Sequence, residues 1–335
     1  MILHPAILAL SIGSLMTCLM IVYAAFYGVR ILRHWDLQSG SESQLMLEKK
    51  THLVSTLMSY VFAYQLCSLF LFIFTADKIT PLFVGAMCAA GTLNANGYGY
   101  PALLLKIINF ILGGVWLIIN YTDNRGIDYP LIKKKYQLLL LIAPLIVLEW
   151  IFQTGYFLKL SPDIITSCCG STFGSDGSGL GSAFTVFPIM PMKVIFYATM
   201  ALTGAFGLVF YLSRNPRAGF IFASMGIGTL MVSVASLISF ISVYVYELPT
   251  HHCPFCILQR EYGYVGYFLY LSLLGGAVGS AGVGTLISAR RMQSIQEDLP
   301  RILRRLTTAT LLCYLLFTGI ATARMLLTDF RLEGY

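Results

Sequence analysis

Two cysteines, Cys253 and Cys256, stand three residues apart in the run His251-His252-Cys253-Pro254-Phe255-Cys256-Ile257-Leu258-Gln259-Arg260, between two long apolar stretches. A Cys-x-x-Cys pair cycles between dithiol and disulfide when one thiol ionises and a partner for exchange is in reach. Arg260 lies four residues past Cys256. If a helix begins early, the two face the same way, and the guanidinium can lower a thiol pKa and hydrogen-bond a carbonyl oxygen. The dipole at the start of the following helix favours a thiolate as well. The same residues carry a second chemistry, because His251, His252, Cys253 and Cys256 form a soft ligand set for Zn or Cu(I).

The other cysteines sharpen the choice. Of the eight in the chain, Cys18, Cys67 and Cys313 lie inside apolar runs and read as small buried hydrophobes. Cys88, Cys168 and Cys169 fall in connecting segments, as Cys253 and Cys256 do. Five such cysteines form at most two disulfides and leave one thiol over, which suits a relay better than a fixed framework. Cys168 and Cys169 are adjacent, so their Cα atoms are held at about 3.8 Å, closer than ordinary bridges prefer. One of them is expected to pair, at least transiently, with Cys88 or with the Cys253/Cys256 pair. Their loop continues as Gly170-Ser171-Thr172-Phe173-Gly174-Ser175, a flexible composition that lets cysteines change partners. Cys88 lies in another small-residue segment, Ala86-Met87-Cys88-Ala89-Ala90-Gly91-Thr92-Leu93-Asn94-Ala95-Asn96-Gly97-Tyr98-Gly99-Tyr100, which reads either as a compact loop lining a pocket or as a plain connection.

The elements that must position these residues are helices in a membrane. Of 335 residues 57% are hydrophobic and 11% charged, too few charges for a soluble globular chain. Apolar runs of spanning length lie near 6–28, 53–75, 102–121, 137–159, 192–213, 218–246, 263–288 and 306–328. The reading is therefore an all-α polytopic membrane protein of about eight transmembrane helices. Most of the 22 lysines and arginines follow the first, third, fifth and seventh runs, among them Arg30, Lys49, Arg125, Lys133, Lys134, Lys135, Arg217, Arg290 and Arg305. Positive charge is retained on the cytoplasmic side, which puts both termini on the outer, periplasmic side of a bacterial inner membrane. The net charge of +7 follows from this topology and gives no reason to invoke nucleic acid. The whole chain, 1–335, reads as one transmembrane domain. Its five-helix part, 1–213, carries outer loops 76–101 and 160–191, and its three-helix part, 214–335, carries the Cys-x-x-Cys. No basic stretch precedes the first run, so a cleaved leader is not expected.

The segment Cys253-Pro254-Phe255-Cys256-Ile257-Leu258-Gln259-Arg260 resembles the active-site segment of the DsbB family of quinone-linked, disulfide-forming membrane proteins. In that family a Cys-x-x-Cys opens the second helix and precedes an acidic or amide residue and an arginine that contacts the quinone. The resemblance implies that Cys253 and Cys256 are the quinone-proximal redox pair and that Arg260 contacts the quinone. It covers the last three runs at most. DsbB proteins carry a second cysteine pair between their third and fourth helices, for which this chain has no counterpart downstream. Cys168, Cys169 and Cys88 would have to supply the substrate-facing thiols.

Other chemistries are weaker. A haem-attaching Cys-x-x-Cys-His is absent because Ile257 follows Cys256, and His4, His34, His52, His251 and His252 all lie near the ends of apolar runs, so no haem is expected. Lys106 and Glu149, inside the third and fourth runs, read as an ion pair across a short hairpin, with a proton-relay role for Glu149 as the alternative. Gly275, Gly276, Gly279, Gly282 and Gly284 give the seventh run a surface for close helix contact. The stretch from Arg290 to Leu306, with Pro300 inside it, reads as a broken interfacial helix. The function expected is thiol:disulfide exchange between a periplasmic partner, thioredoxin-like or another thiol protein, and a membrane quinone, in contact with lipid. The rivals are a protein that handles or assembles Cu or Zn, and a non-catalytic subunit of a larger respiratory complex.

Overall fold

The computed structural model describes residues 4–36, 41–126, 128–161 and 189–330. In chain order its helices are α1 (Pro5–His34), α2 (Glu42–Lys78), the short α3 (Ala89–Leu93), α4 (Gly99–Asp123), α5 (Ile132–Leu158), α6 (Ile189–Ser213), α7 (Pro216–Ser236), α8 (Val265–Ile287) and α9 (Leu299–Leu327). A π turn, Leu237–Ile241, prolongs α7 into a last helical stretch, Ser242–Tyr246. Among the described residues there is no strand, and eight helices are long and apolar enough to cross a membrane. Backbone groups cannot be left unpaired in hydrocarbon, and a helix satisfies them within the segment.

Local chemistry explains several boundaries. Pro5 opens α1 and Pro216 opens α7, where a missing N–H costs nothing. Asn215 caps α7, its side chain accepting from the Arg217 N–H at 3.0 Å. Pro300 lies in the first turn of α9, so it starts that helix. The expected interfacial helix over 290–306 is corrected accordingly: Gln293–Ile295 makes a single 3-10 turn, and Arg301, Arg304 and Arg305 stand on the opening turns of α9.

The chain divides into two compact units, one of Met1–Thr75, Asn96–Ser161 and Ser288–Ile302, the other of Ala76–Ala95, Pro162–Ile287 and Leu303–Tyr335. In the first, α5 lies against both α1 and α4. Its apolar centre holds Phe62 and Trp116, ring centroids 4.8 Å apart, with Tyr136, Leu139, Ile142 and Ile146. A polar stripe crosses this centre on α4, where Lys106, Asn109, Gly113, Trp116, Asn120 and Asp123 recur at alternating three- and four-residue steps and are all buried. The Glu149 carboxylate accepts from Lys106 Nζ at 2.7 Å, Asn109 Nδ2 at 2.6 Å and Gln65 Nε2 at 2.5 Å, while Lys106 also donates to Ser68 Oγ at 3.1 Å. The pair expected from the sequence is present.

A second buried pair was not expected. Lys135 Nζ donates to Asp123 Oδ2 at 2.6 Å and to Asn120 Oδ1 at 3.2 Å, and the other oxygen of Asp123 accepts from the Leu131 N–H at 2.8 Å. Lys135 is fully buried, so it leaves the set of exposed charges that the orientation argument used. In the second unit α7 lies between α6 and α8. A Cβ on Gly276 would meet the Tyr314 ring of α9, and one on Gly279 would meet the Thr310 side chain, so the small residues of α8 do serve close packing.

Replacing Glu149 by leucine strands three buried donors, one of them charged. Breaking a buried pair this way costs about 3–5 kcal/mol. Thermal unfolding of the detergent-solubilised protein should show a loss of that size for Glu149→Leu, whereas Leu148→Val, on the exposed side of the same turn, should stay within about 0.5 kcal/mol.

Candidate functional site

The second unit brings three of the five predicted cysteines together. Cys88 caps the start of α3 in an extended conformation, with its carbonyl accepting from the Gly91 N–H at 3.0 Å. All of Ala89–Leu93 is buried. Thr92 Oγ1 donates to Ala76 O at 2.8 Å and to Ala89 O at 3.0 Å, and so folds this segment back on the end of α2. The segment is thus a compact, buried turn of helix.

Cys253 and Cys256 come from the non-helical stretch between α7 and α8. Glu247, left-handed at φ 57°, ends the helical run. Leu258 N–H to Phe255 O and Gln259 N–H to Cys256 O, both 3.0 Å, close a 3-10 turn over Cys256–Leu258, and a second such turn covers Arg260–Tyr262. Gly263, at φ 64°, makes the left-handed step out of it at no steric cost. α8 begins only at Val265. The early helix start is therefore corrected: Cys256 and Arg260 sit in successive turns separated by extended Gln259, they share no helical face, and Arg260 is exposed. Gly266 is needed for another reason, since a Cβ there would meet the Ile257 carbonyl carbon and oxygen at 2.9 Å. The turn holding Cys256 thus rests on the first residues of α8 without being part of it.

Cys88 Sγ lies 3.6 Å from Cys253 Sγ across a sequence separation of 165 residues. With Cys256 Sγ the three sulfurs lie within 4.8 Å of one another, and relative exposures of 0%, 0% and 5% for Cys88, Cys253 and Cys256 keep all three from solvent. The 3.6 Å separation exceeds the roughly 2.05 Å of a disulfide, so these are thiols within a small movement of bonding. Cys253 is near to both others, which is the arrangement exchange requires.

Hydrogen bonds hold the sulfurs' backbone in place. Tyr246 OH donates to Cys253 O at 2.5 Å and Tyr270 OH to Pro254 O at 2.7 Å. Gln259 Nε2 donates to Asp77 Oδ1 and to Met87 O, both at 2.9 Å, joining the residue before Cys88 to the Cys-x-x-Cys stretch. Asp77, Tyr246 and Tyr270 stood out from no spacing pattern. Gln259 lay inside the quoted motif, in its amide position.

The two histidines flank the sulfurs without joining them. His252 Nδ1 is 3.0 Å from Ile238 O, in the π turn, and because a carbonyl only accepts, the ring carries a proton on Nδ1. The His251 ring meets Tyr246 edge to face, centroids 4.6 Å apart. Burial pushes the His251 pKa below its usual value, against the upward pull of a Cys88 thiolate and with a further downward push from His252, so the ring is neutral near pH 7. Burial and then the charges of Cys256 and Glu261 raise the Tyr262 phenol. The sequence-derived metal set of His251, His252, Cys253 and Cys256 thus meets a structure in which the converging third ligand is Cys88. Cys168 and Cys169 lie outside the described residues. Cys18 is buried and Cys67 exposed, both as thiols.

Compared with protein-family models, curated proteins and solved structures, the chain matches none.

Gln259 makes two bonds that tie Cys88 to its partners, one of them to a carboxylate, together worth about 2 kcal/mol. In Gln259→Leu the alkylation rate of Cys88, read by mass spectrometry on the reduced protein, should rise at least roughly tenfold, while that of Cys18 should not change.

Proposed function

We propose that this chain is a membrane thiol:disulfide oxidoreductase that passes electrons from a periplasmic dithiol partner to a membrane quinone. The observation that carries the reading is the convergence of Cys88, Cys253 and Cys256 into one buried cluster, with Cys88 and Cys253 sulfurs 3.6 Å apart. Three thiols in mutual reach support an internal exchange that two cannot. Starting from a Cys88–Cys253 bridge, the Cys256 thiolate attacks Cys253, a Cys253–Cys256 bridge forms, and Cys88 leaves as the thiolate. No net oxidation occurs in that step. Oxidation enters when a dithiol of the cluster closes to a disulfide and a quinone takes the two electrons and two protons.

Burial decides how partners are reached. A protein dithiol cannot approach sulfurs this enclosed, so Cys168 and Cys169 are the thiols assigned to meet a thioredoxin-like or other thiol protein. Arg260, exposed at the end of the motif, is assigned to the quinone headgroup. The functional face is the outer face of a bacterial inner membrane, where disulfides persist. That orientation rests on the basic residues after the first, third, fifth and seventh spans, with Lys135 now set aside.

Differential alkylation with mass spectrometry tests this in isolated membranes. With quinone supplied, Cys253 should be found mainly in a disulfide; with quinone withheld and a dithiol substrate present, it should be found mainly as a thiol. Cys88→Ser should keep a Cys253–Cys256 bridge and lose turnover. A single oxidation state of Cys253 under both conditions would sink the proposal.

A further inference from the structure

The same three sulfurs have the spacing of a metal site. A metal–sulfur bond of about 2.3 Å separates neighbouring sulfurs by about 3.8 Å in a tetrahedral site and about 4.0 Å in a trigonal one. The Cys88–Cys253 separation of 3.6 Å and the 4.8 Å limit on the cluster bracket both values. Coordination number separates the candidates. Zn(II) asks for four ligands, and among the described residues three ligating atoms converge. Cu(I) is soft, prefers thiolate over oxygen, and is satisfied by three sulfurs. The cluster is shut off from solvent, and Phe255, Ile257 and Leu258 of the same stretch are buried with it.

The two histidines are not in this group: among the described residues the converging ligand atoms are the three sulfurs, while His252 Nδ1 donates to Ile238 O and the His251 ring meets Tyr246 edge to face. We infer that Cys88, Cys253 and Cys256, in their thiol state, form a trigonal site for Cu(I). Binding forms three Cu–S bonds and releases thiol protons to solvent, with no change in the oxidation state of copper or sulfur. A bound Cu(I) holds the sulfurs that disulfide formation needs, so metal and bridge exclude each other. The inference takes from the preceding reading only that these sulfurs exist as thiols.

The test is a titration of the phosphine-reduced, full-length protein in detergent, without oxygen, with Cu(I) competed against a chromogenic chelator. One Cu(I) per chain should be retained, with about three sulfur neighbours by X-ray absorption. Cys88→Ser should weaken retention by more than about 100-fold, a larger loss than outer-shell changes cause. A Cys168→Ser/Cys169→Ser double variant should bind like the parent. In the unmodified protein, which answers the question even if Cys88→Ser misfolds, Cu(I) should protect Cys88, Cys253 and Cys256 from alkylation. No retention by the parent, or retention lost in the double variant and kept in Cys88→Ser, overturns the inference. Copper binding without quinone-dependent cycling would remove the redox reading and leave this one standing; cycling without copper binding would do the reverse.

Discussion

The stretch between α7 and α8 is buried at Cys253 and over Phe255–Leu258 without being α-helical there, and that constraint governs the candidate site. A buried carbonyl without a donor costs about 1–3 kcal/mol, and a segment with no internal ladder needs outside donors. Two tyrosines meet the need at the sulfurs themselves: Tyr246 OH serves Cys253 O and Tyr270 OH serves Pro254 O. Gln259 does the same for Met87 O, beside Cys88. The sulfurs are thus held by backbone satisfaction, with no bond between them required.

The order of the cluster follows from this. Cys253 has its sequence neighbour Cys256 and the distant Cys88 both within 4.8 Å, and the 3.6 Å contact is to the distant one. A Cys-x-x-Cys read from sequence pairs its own two members. Here the 3-10 turn over Cys256–Leu258 and the folding back of Ala89–Leu93 by Thr92 bring in a third sulfur. Three buried sulfurs around a shared centre are chemically versatile, because the same proximity serves exchange and soft-metal ligation.

The first unit shows a different economy of polar groups. Lys106 with Glu149 and Lys135 with Asp123 are buried pairs between α4 and α5, each surrounded by amide or hydroxyl partners. Desolvation makes such pairs poor sources of stability but makes each member indispensable once the other is present. The sequence disclosed the first pair, because Lys106 and Glu149 stand well inside apolar runs joined by a short hairpin. It concealed the second, because Lys135 adjoins Lys133 and Lys134 at the end of a run, where a basic residue reads as a topology signal. Burial of one lysine among three is a matter of helix rotation against Asp123 and Asn120.

What the sequence by itself determined is an all-helical architecture with, among the described residues, eight helices long and apolar enough to cross a membrane. Apolar length and scarcity of charge leave a chain in hydrocarbon no other way to satisfy its backbone. It also determined which residue types carry the chemistry, since Cys253, Cys256 and Cys88 were all legible as candidates. Tertiary structure decided which of them meet. A separation of 165 residues carries no local signal, and the convergence comes from a left-handed step at Glu247, a 3-10 turn, and the reach of Gln259 to Asp77 and Met87. It also decided that α8 begins at Val265, which takes Cys256 and Arg260 off any common helix face. Helix starts and side-chain reach depend on what lies across the fold, and composition and spacing are silent about that.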